Sequence, residues 1–305
     1  MEQRRIAMIG AGALGALYGS HFMDAGFDLT YISAPERADR LSAGGLVVNG
    51  TAYSVSVATP AGEPEPADIV MIAVKYHGLP DAVREIRRFV GPDTVIMSVM
   101  NGIDSEDMLA SAYGREHVLY TVALGMDAVR DGNNVHFTTA GKLLIGTVKD
   151  WPNQELFDGV TSVLTQAGLA FEERSDMLHA LWWKYMINVG MNQVSAVLRL
   201  PYGAFHSSKR VQELMRDAMR ECIAVAQAED VSLSEKDLEN WYPVLHTLSA
   251  AGKTSMLQDV EAGRKTEVEM FAGKLLELAE RHGLSLPVNE MLYRLITAIE
   301  EFTGS

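Results

Sequence analysis

Short, wholly apolar runs separated by amphipathic stretches fill the first half of the chain. Ile6-Ala7-Met8-Ile9 predicts a buried strand, residues 13–25 a helix, and Leu29-Thr30-Tyr31-Ile32 a second strand. Two further strands are predicted at Ile69-Val70-Met71-Ile72-Ala73-Val74 and Val95-Ile96-Met97-Ser98-Val99, with a helical pattern over 79–89 between them. Strands apolar along their whole length and alternating with helices imply a mostly parallel sheet covered on both faces. Residues 46–58 read instead as an antiparallel excursion turned near Asn49-Gly50. From 118 to 147 the pattern is strand-rich, and Asp131-Gly132-Asn133-Asn134 supplies residues that tolerate the positive φ of a tight turn. A helix over 153–166 and a strand at Leu169-Ala170-Phe171 complete this half.

The pattern changes near Asp176, with no long flexible linker, and helical periodicity takes over at 177–198, 209–230, 234–245, 266–281 and 289–302. The fold class is therefore α/β followed by all-α. A dinucleotide-binding domain is expected over 1–175 and a helical substrate and catalytic domain over 176–305. The length of 305 residues agrees with two domains.

Composition narrows the function classes. A formal net charge of −14 repels polyanions and argues against a nucleic-acid partner, whereas a small anionic metabolite needs only one or two fixed cations. Every apolar run is interrupted before about twenty residues, so no membrane span is expected. The apolar stretch at residues 6–9 is too short, and too soon followed by glycines, for a signal peptide. Cys222, the one cysteine, lies in a helical pattern and reads as a buried inert thiol; its solitude fits a reducing cytoplasm, the expected location. The histidines, among them His77, His117, His136, His179 and His206, are dispersed without ligand spacing, and no metal is expected.

Candidate chemistry begins at Gly10-Ala11-Gly12-Ala13-Leu14-Gly15, directly after the first strand and opening the first helix. The first glycine permits the tight turn, the second lets backbone approach a pyrophosphate, and the third allows close helix-to-sheet packing. Amides at the helix N-terminus then face phosphate. A nicotinamide dinucleotide is the leading ligand, with FAD the alternative. The second strand ends at Ile32-Ser33-Ala34-Pro35-Glu36-Arg37 without the acidic residue that would favour the free 2′-hydroxyl of NAD. Ser33, Arg37 and Arg40 are available to a 2′-phosphate, so NADPH is favoured over NADH, the competing reading being that both arginines are solvated helix-surface residues. Lys75 and Asn101 follow the next two core strands, where ligands of open sheets bind. Lys75 suits a cofactor phosphate or substrate carboxylate, and Asn101 suits nicotinamide or substrate.

In the second half, Lys184, Asn188 and Asn192 stand four apart in the largely apolar stretch 181–192 and form a polar ridge on one helix face. Burying three such groups without partners is costly, which favours a cleft; a structural hydrogen-bond ladder is the competing reading. Carbonyl reduction explains the ridge. Hydride arrival at C2 of a 2-oxo acid puts negative charge on oxygen, which a protonated lysine stabilises and then protonates. The two asparagines can orient the ammonium group or the substrate. Thr254-Ser255-Met256-Leu257-Gln258-Asp259 through Thr266-Glu267 supplies further substrate contacts, with Glu267 opening the next helix.

With these residues in order along nearly the whole chain, the sequence resembles the ketopantoate reductase (2-dehydropantoate 2-reductase) family. The resemblance rests on the early glycine segment, Lys75, Asn101-Gly102, Trp183-Lys184 with Asn188 and Asn192, Ser255-Met256-Leu257-Gln258-Asp259 and Thr266-Glu267. It implies an N-terminal Rossmann-type domain, a C-terminal helical domain, and NADPH in the cleft between them. It further implies Lys184 as general acid, Asn101 placing nicotinamide and substrate, Ser255 and Glu267 on the polar substrate groups, and a role in pantothenate biosynthesis. A homodimer is an expected assembly. Four positions depart from the family pattern. Ala34 stands where an arginine often meets the NADP phosphate, Tyr202 and Gly252 stand where asparagines serve the substrate, and Gln193 replaces a common proline. The carbonyl-reducing core is thus kept while part of the substrate shell differs. The expected reaction is reduction of 2-dehydropantoate to (R)-pantoate. Reduction of another small 2-oxo acid is the runner-up, and a noncatalytic nicotinamide-binding sensor the alternative of a different class.

Overall fold

The computed structural model describes residues 4–62, 65–147 and 153–303. It forms two compact units, Met1–Met177 and Leu178–Ser305.

The first unit is built on an eight-stranded sheet. In chain order its elements are β1 (Arg5–Ile9), α1 (Ala13–Asp24), β2 (Asp28–Ile32), α2 (Pro35–Gly44), β3 (Leu46–Val48), β4 (Thr51–Tyr53), β5 (Ser56–Ala58) and β6 (Ile69–Ile72). There follow α3 (Leu79–Glu85), β7 (Val95–Ser98), α4 (Ser105–Tyr113), β8 (Val118–Leu124), β9 (Val129–Asp131), β10 (Asn134–His136), β11 (Lys142–Gly146), α5 (Gln154–Gln166) and β12 (Phe171–Glu173). The sheet runs β12-β11-β8-β7-β6-β1-β2-β5. Every pair is parallel except β8 with β11. Alternate residues of β1 serve opposite cores: Ile6 and Met8 pack with Leu17 and Phe22 of α1 and Phe157 and Val160 of α5. Ala7 and Ile9 pack with Leu79 and Ala82 of α3 and Leu109 of α4. Cover on both faces is why these strands carry no polar alternation.

Three details differ from the sequence reading. The 46–58 excursion splits: β3 and β4 form the antiparallel hairpin, with Asn49 (φ 48°) and Gly50 (φ 83°) in the left-handed conformations such turns demand. β5 instead returns to the main sheet as a parallel edge strand on β2. The last strand starts at Phe171, because Leu169 closes α5 instead. With Gly168 at φ 65°, the Gly168 amide donates to Thr165 O and the Leu169 amide to Leu164 O, satisfying carbonyls the helix leaves open. The 79–89 helix tightens after Glu85 into a 3₁₀ turn over Ile86–Phe89. A second, four-stranded sheet, β4-β3-β10-β9, joins β10 parallel to β3 across nearly ninety residues of chain.

The second unit is helical: α6 (Met177–Leu198), α7 (Tyr202–Ser207), α8 (Lys209–Ala228), α9 (Glu235–Leu245), α10 (Ser255–Glu261), α11 (Lys274–Arg281) and α12 (Pro287–Thr303). α6 is buried along most of its length. At Gly190 it meets α8 so closely that a Cβ would stand 2.5 Å from Met219 Cγ and 3.0 Å from Met215 O. α9 opens with a capping box in which Asp237 Oδ2 accepts from the Ser234 amide and hydroxyl at 2.9 and 2.7 Å. α8 stops at Ala228, two residues short of expectation, as Asp230 turns to φ 59° and the Val231 amide folds back onto Ala226 O. The expected 266–281 helix is also not continuous. A π turn over Glu269–Gly273 precedes α11. The Thr266 amide and hydroxyl are committed to Glu300 Oε1 at 2.7 and 2.6 Å, and Glu267 O accepts from both Met270 and Phe271. Among the described residues no helix is long and apolar enough to cross a membrane.

Candidate active site

In the first unit, strand register fixes which loops come together. Ile9 of β1 stands beside Ile32 of β2 and Ile72 of β6, and Ile72 stands beside Ser98 of β7. The strands are parallel, so Gly10 and Ser33 are each one residue past this common row, and Lys75 and Asn101 each three past it. Chain segments separated by up to ninety residues therefore emerge at one sheet edge, the edge where open α/β sheets bind ligands.

The glycines of the 10–15 segment answer to different constraints. Gly10 has φ 101°, and a Cβ there would lie 2.5 Å from Ala73 O. At Gly15 a Cβ would collide with the Gly10 carbonyl oxygen. Both are required by the protein's own packing. Gly12 is not, since its Cβ would meet only Ala73 O, at 3.9 Å. The free space over Gly12, which precedes α1 as its N-cap without a side-chain cap, fits a phosphate group drawn close to the backbone of Ala11, Gly12, Ala13 and Leu14. The first turn of α1 holds no acidic residue to repel it.

Two polar relays that the sequence did not disclose steady the neighbouring loops. Tyr76 OH donates to Asp104 Oδ2 at 2.8 Å, tying the loop after β6, which carries Lys75, to the loop after β7, which carries Asn101. Ser98 Oγ donates to Ser105 Oγ and Ser105 Oγ to Glu106 Oε2, each at 2.8 Å and all buried, across the turn where Gly102 adopts φ 95°. Lys75 is exposed as the residue before a 3₁₀ turn over Tyr76–Gly78, and Asn101 is half-buried. Ser33 is half-buried and gives its amide to Ala58 O, while Arg37 and Arg40 are exposed on α2. Arg37 acts electrostatically on Glu85 of α3; burial and Asp81 raise that carboxyl's pKa, and Arg37 opposes them. Arg40 turns its Nε to Glu36 O at 3.4 Å.

In the second unit, Lys184 and Asn188 are half-buried and Asn192 is buried, all on one side of α6. Ser255 Oγ donates to Asn192 Oδ1 at 3.3 Å, and Asn192 Nδ2 donates to Asn188 Oδ1 at 2.9 Å. The array ends on Asn188 Nδ2, a buried donor with no partner. Leaving such a group unmatched costs about 1–3 kcal/mol. α10 orients the array a second time through the Met256 amide, which also donates to Asn192 Oδ1 at 3.5 Å; Thr254 caps that helix by accepting from the Leu257 amide at 3.2 Å and donates to Ser195 Oγ at 3.1 Å. Flanking contacts hold α6 in rotation: Trp183 Nε1 donates to Asp237 O at 3.1 Å and Tyr185 OH to Phe271 O, inside the π turn, at 2.6 Å. Glu267 is buried just before that turn. Gln193 is buried and donates to Val189 O and Asn289 Oδ1.

Tyr202 and Gly252, fifty residues apart, are in contact. The Tyr202 amide donates to Gly252 O at 2.9 Å, and a Cβ on Gly252 would lie 2.9 Å from Tyr202 Cδ2. Burial raises the pKa of the Tyr202 phenol, which therefore stays protonated. Gly252→Asn is expected to destabilise the protein by about 1–3 kcal/mol through this overlap. In a Tyr202→Asn background the cost should shrink, with a coupling of at least about 0.5 kcal/mol in a denaturation double-mutant cycle. Additive losses would show that the ring and the glycine are independent.

Comparisons with known proteins cover both units. Residues 6–150 match the model of the ketopantoate reductase PanE/ApbA family and residues 176–300 that of its C-terminal domain. A 2-dehydropantoate 2-reductase of Archaeoglobus fulgidus is 27% identical over 303 residues, covering 98% of this chain and 99% of its own. The crystal structure of a PanE/ApbA family ketopantoate reductase from Ralstonia eutropha JMP134 is 26% identical and superposes with a TM-score of 0.84, covering 99% of this chain and 100% of that one. D-mandelate dehydrogenase in ternary complex with NADH and anilino(oxo)acetate shares the fold, with a TM-score of 0.89 at 19% identity over 98% of this chain and 99% of that one. With both family models matched in order along the chain, this protein belongs to the ketopantoate reductase family and is an oxidoreductase of the 2-dehydropantoate 2-reductase type.

Proposed function

We propose that this protein uses NADPH to reduce 2-dehydropantoate to (R)-pantoate, with Lys184 as the general acid. The observation that carries the reading is the directed array Ser255–Asn192–Asn188, which ends on an unmatched donor one helical turn from Lys184. A polar substrate oxygen supplies the acceptor that this donor lacks. Gly10, Ala11, Gly12, Ala13, Leu14 and Gly15 would hold the cofactor pyrophosphate, Ser33, Arg37 and Arg40 its 2′-phosphate, and Lys75 and Asn101 its remaining polar groups. The bound nicotinamide supplies hydride to the substrate's carbonyl carbon.

The protein's own residues manage the oxygen. Lys184 stabilises the charge growing there and delivers the proton, a contribution of about 10²–10⁴ in rate. Asn188 holds that oxygen or the ammonium group in line, and Asn192 and Ser255 fix Asn188. Asn101 and Glu267 position the substrate's other polar groups, and Tyr202 borders them.

A second reading, reduction of a different small 2-oxo acid, is favoured by the Tyr202 ring lying on Gly252, which puts an aromatic surface where the family supplies amides. One experiment separates the two. Purified protein is assayed for NADPH and NADH consumption across a panel of 2-oxo acids. The first reading expects the highest kcat/KM with 2-dehydropantoate and NADPH. A higher kcat/KM on another acid transfers the assignment to the second reading, and equal or better efficiency with NADH removes the NADPH preference. Cofactor binding without turnover on any acid identifies a sensor.

A further inference from the structure

The β9–β10 hairpin brings a cation to the glycine segment from 119 residues away. Arg130 Nη1 donates to the carbonyl oxygen of Ala11, and Arg130 Nε donates to Gly132 O at 2.7 Å. A guanidinium has five N–H donors, so most of the fork is left over. Among the described residues no carboxylate pairs with it, although the chain carries 40 acidic residues against 26 basic ones. The location makes this unusual. Ala11 adjoins the N-terminal end of α1, which already carries positive potential and has no acid in its first turn. Two sources of positive potential converge there, and among the described residues neither the first turn of α1 nor an ion pair to Arg130 supplies a carboxylate.

The hairpin is braced to keep the arginine there. Arg130 pairs with Val135 across the hairpin, Gly132 makes the turn at φ 58°, and β10 pairs in parallel with β3. The Asn133 side chain lies 3.1 Å from where a Cβ on Gly44, the last residue of α2, would stand. Tyr31 of β2 donates its hydroxyl to Gly15 O at 2.9 Å; burial raises this phenol's pKa, and the Arg130 charge opposes the rise.

We propose that Arg130 is a further cofactor-binding residue that contacts the pyrophosphate of the dinucleotide while its bond to Ala11 O holds the glycine segment in shape. The inference rests on the dinucleotide reading above, but not on the choice between NADPH and NADH, because the pyrophosphate is common to both. A guanidinium is suited to the task, since its planar fork serves a carbonyl and a phosphate oxygen together.

The test compares Arg130→Ala, Arg130→Lys and Arg37→Ala with the unaltered protein. Dissociation constants for NADPH and for NADH are measured by fluorescence at several salt concentrations, alongside thermal unfolding of the cofactor-free proteins. Arg130→Ala should weaken both cofactors by the same factor, about ten- to hundredfold, the loss expected for a hydrogen bond to a charged group. The salt dependence of binding should flatten, the cofactor-free melting temperature should stay within about 2 °C, and Arg130→Lys should recover part of the affinity. Arg37→Ala should affect NADPH alone. Unchanged affinity in Arg130→Ala overturns the proposal. So does a loss that comes with a lowered melting temperature and no recovery in Arg130→Lys, because Arg130 would then be only a brace. If the unaltered protein binds neither dinucleotide, the functional reading fails instead.

Discussion

Lys184→Ala should lower kcat by about a hundredfold or more while leaving the dissociation constant of NADPH near its original value. The expectation follows from charge. The proton must arrive as hydride does, and removing the ammonium group leaves the developing alkoxide facing neutral amides alone. Asn188→Ala should lose less, because an orienting group acts through its neighbour or through one hydrogen bond. The array adds a further signature: Ser255→Ala should resemble a weak form of Asn188→Ala, since it releases Asn192 Oδ1 from its 3.3 Å bond and loosens the amide that holds Asn188. Steady-state kinetics with parallel cofactor titration distinguish these cases. A Lys184→Ala protein with native cofactor affinity and near-native turnover would leave the ridge as a packing device of α6.

The second large effect separates two glycines three residues apart. Gly15→Ala should fold poorly, because its methyl group has nowhere to go but into the Gly10 carbonyl, with Met8 Sδ 3.3 Å away. Overpacking of this kind costs about 1–3 kcal/mol or more, and the backbone contact leaves no flexible side chain to yield. Gly12→Ala should melt as the unaltered protein does, since its methyl group would meet nothing closer than 3.9 Å. Its cost should appear only with cofactor, as a weakening of about five- to hundredfold when the methyl group meets phosphate. Melting curves with and without NADPH test the contrast. If Gly12→Ala binds NADPH normally, no cofactor phosphate lies against that backbone.

Local chemistry made much of the fold legible. β1, β6 and β7 announce themselves because burial on both faces demands nearly uninterrupted apolar runs, and α6 as a long, largely apolar helical stretch in which Lys184, Asn188 and Asn192 recur four apart. The glycine segment is legible from its spacing between a strand and a helix, although the Ala73 carbonyl that constrains Gly10 lies far along the chain. What escaped was non-local. Arg130 reaches Ala11 only because β10 pairs with β3, and no local pattern specifies that partner. The contact of Tyr202 with Gly252 and the bond of Ser255 to Asn192 cross loops whose paths depend on helix packing. The π turn escaped because π hydrogen bonds span one residue more than α bonds, a difference that hydrophobic spacing over a five-residue segment does not resolve. Leu169 shows the opposite error, an apolar residue that looked like strand but serves as a helix stop.

Cys222 gives the helical unit a clock of its own. The thiol is fully buried in α8, and burial raises its pKa, so it is neither accessible nor ionised while the unit is closed. Any alkylating reagent that modifies it must wait for α8 to open. Because no second cysteine exists in the sequence, that single reaction reports the opening frequency of one unit without interference from the other.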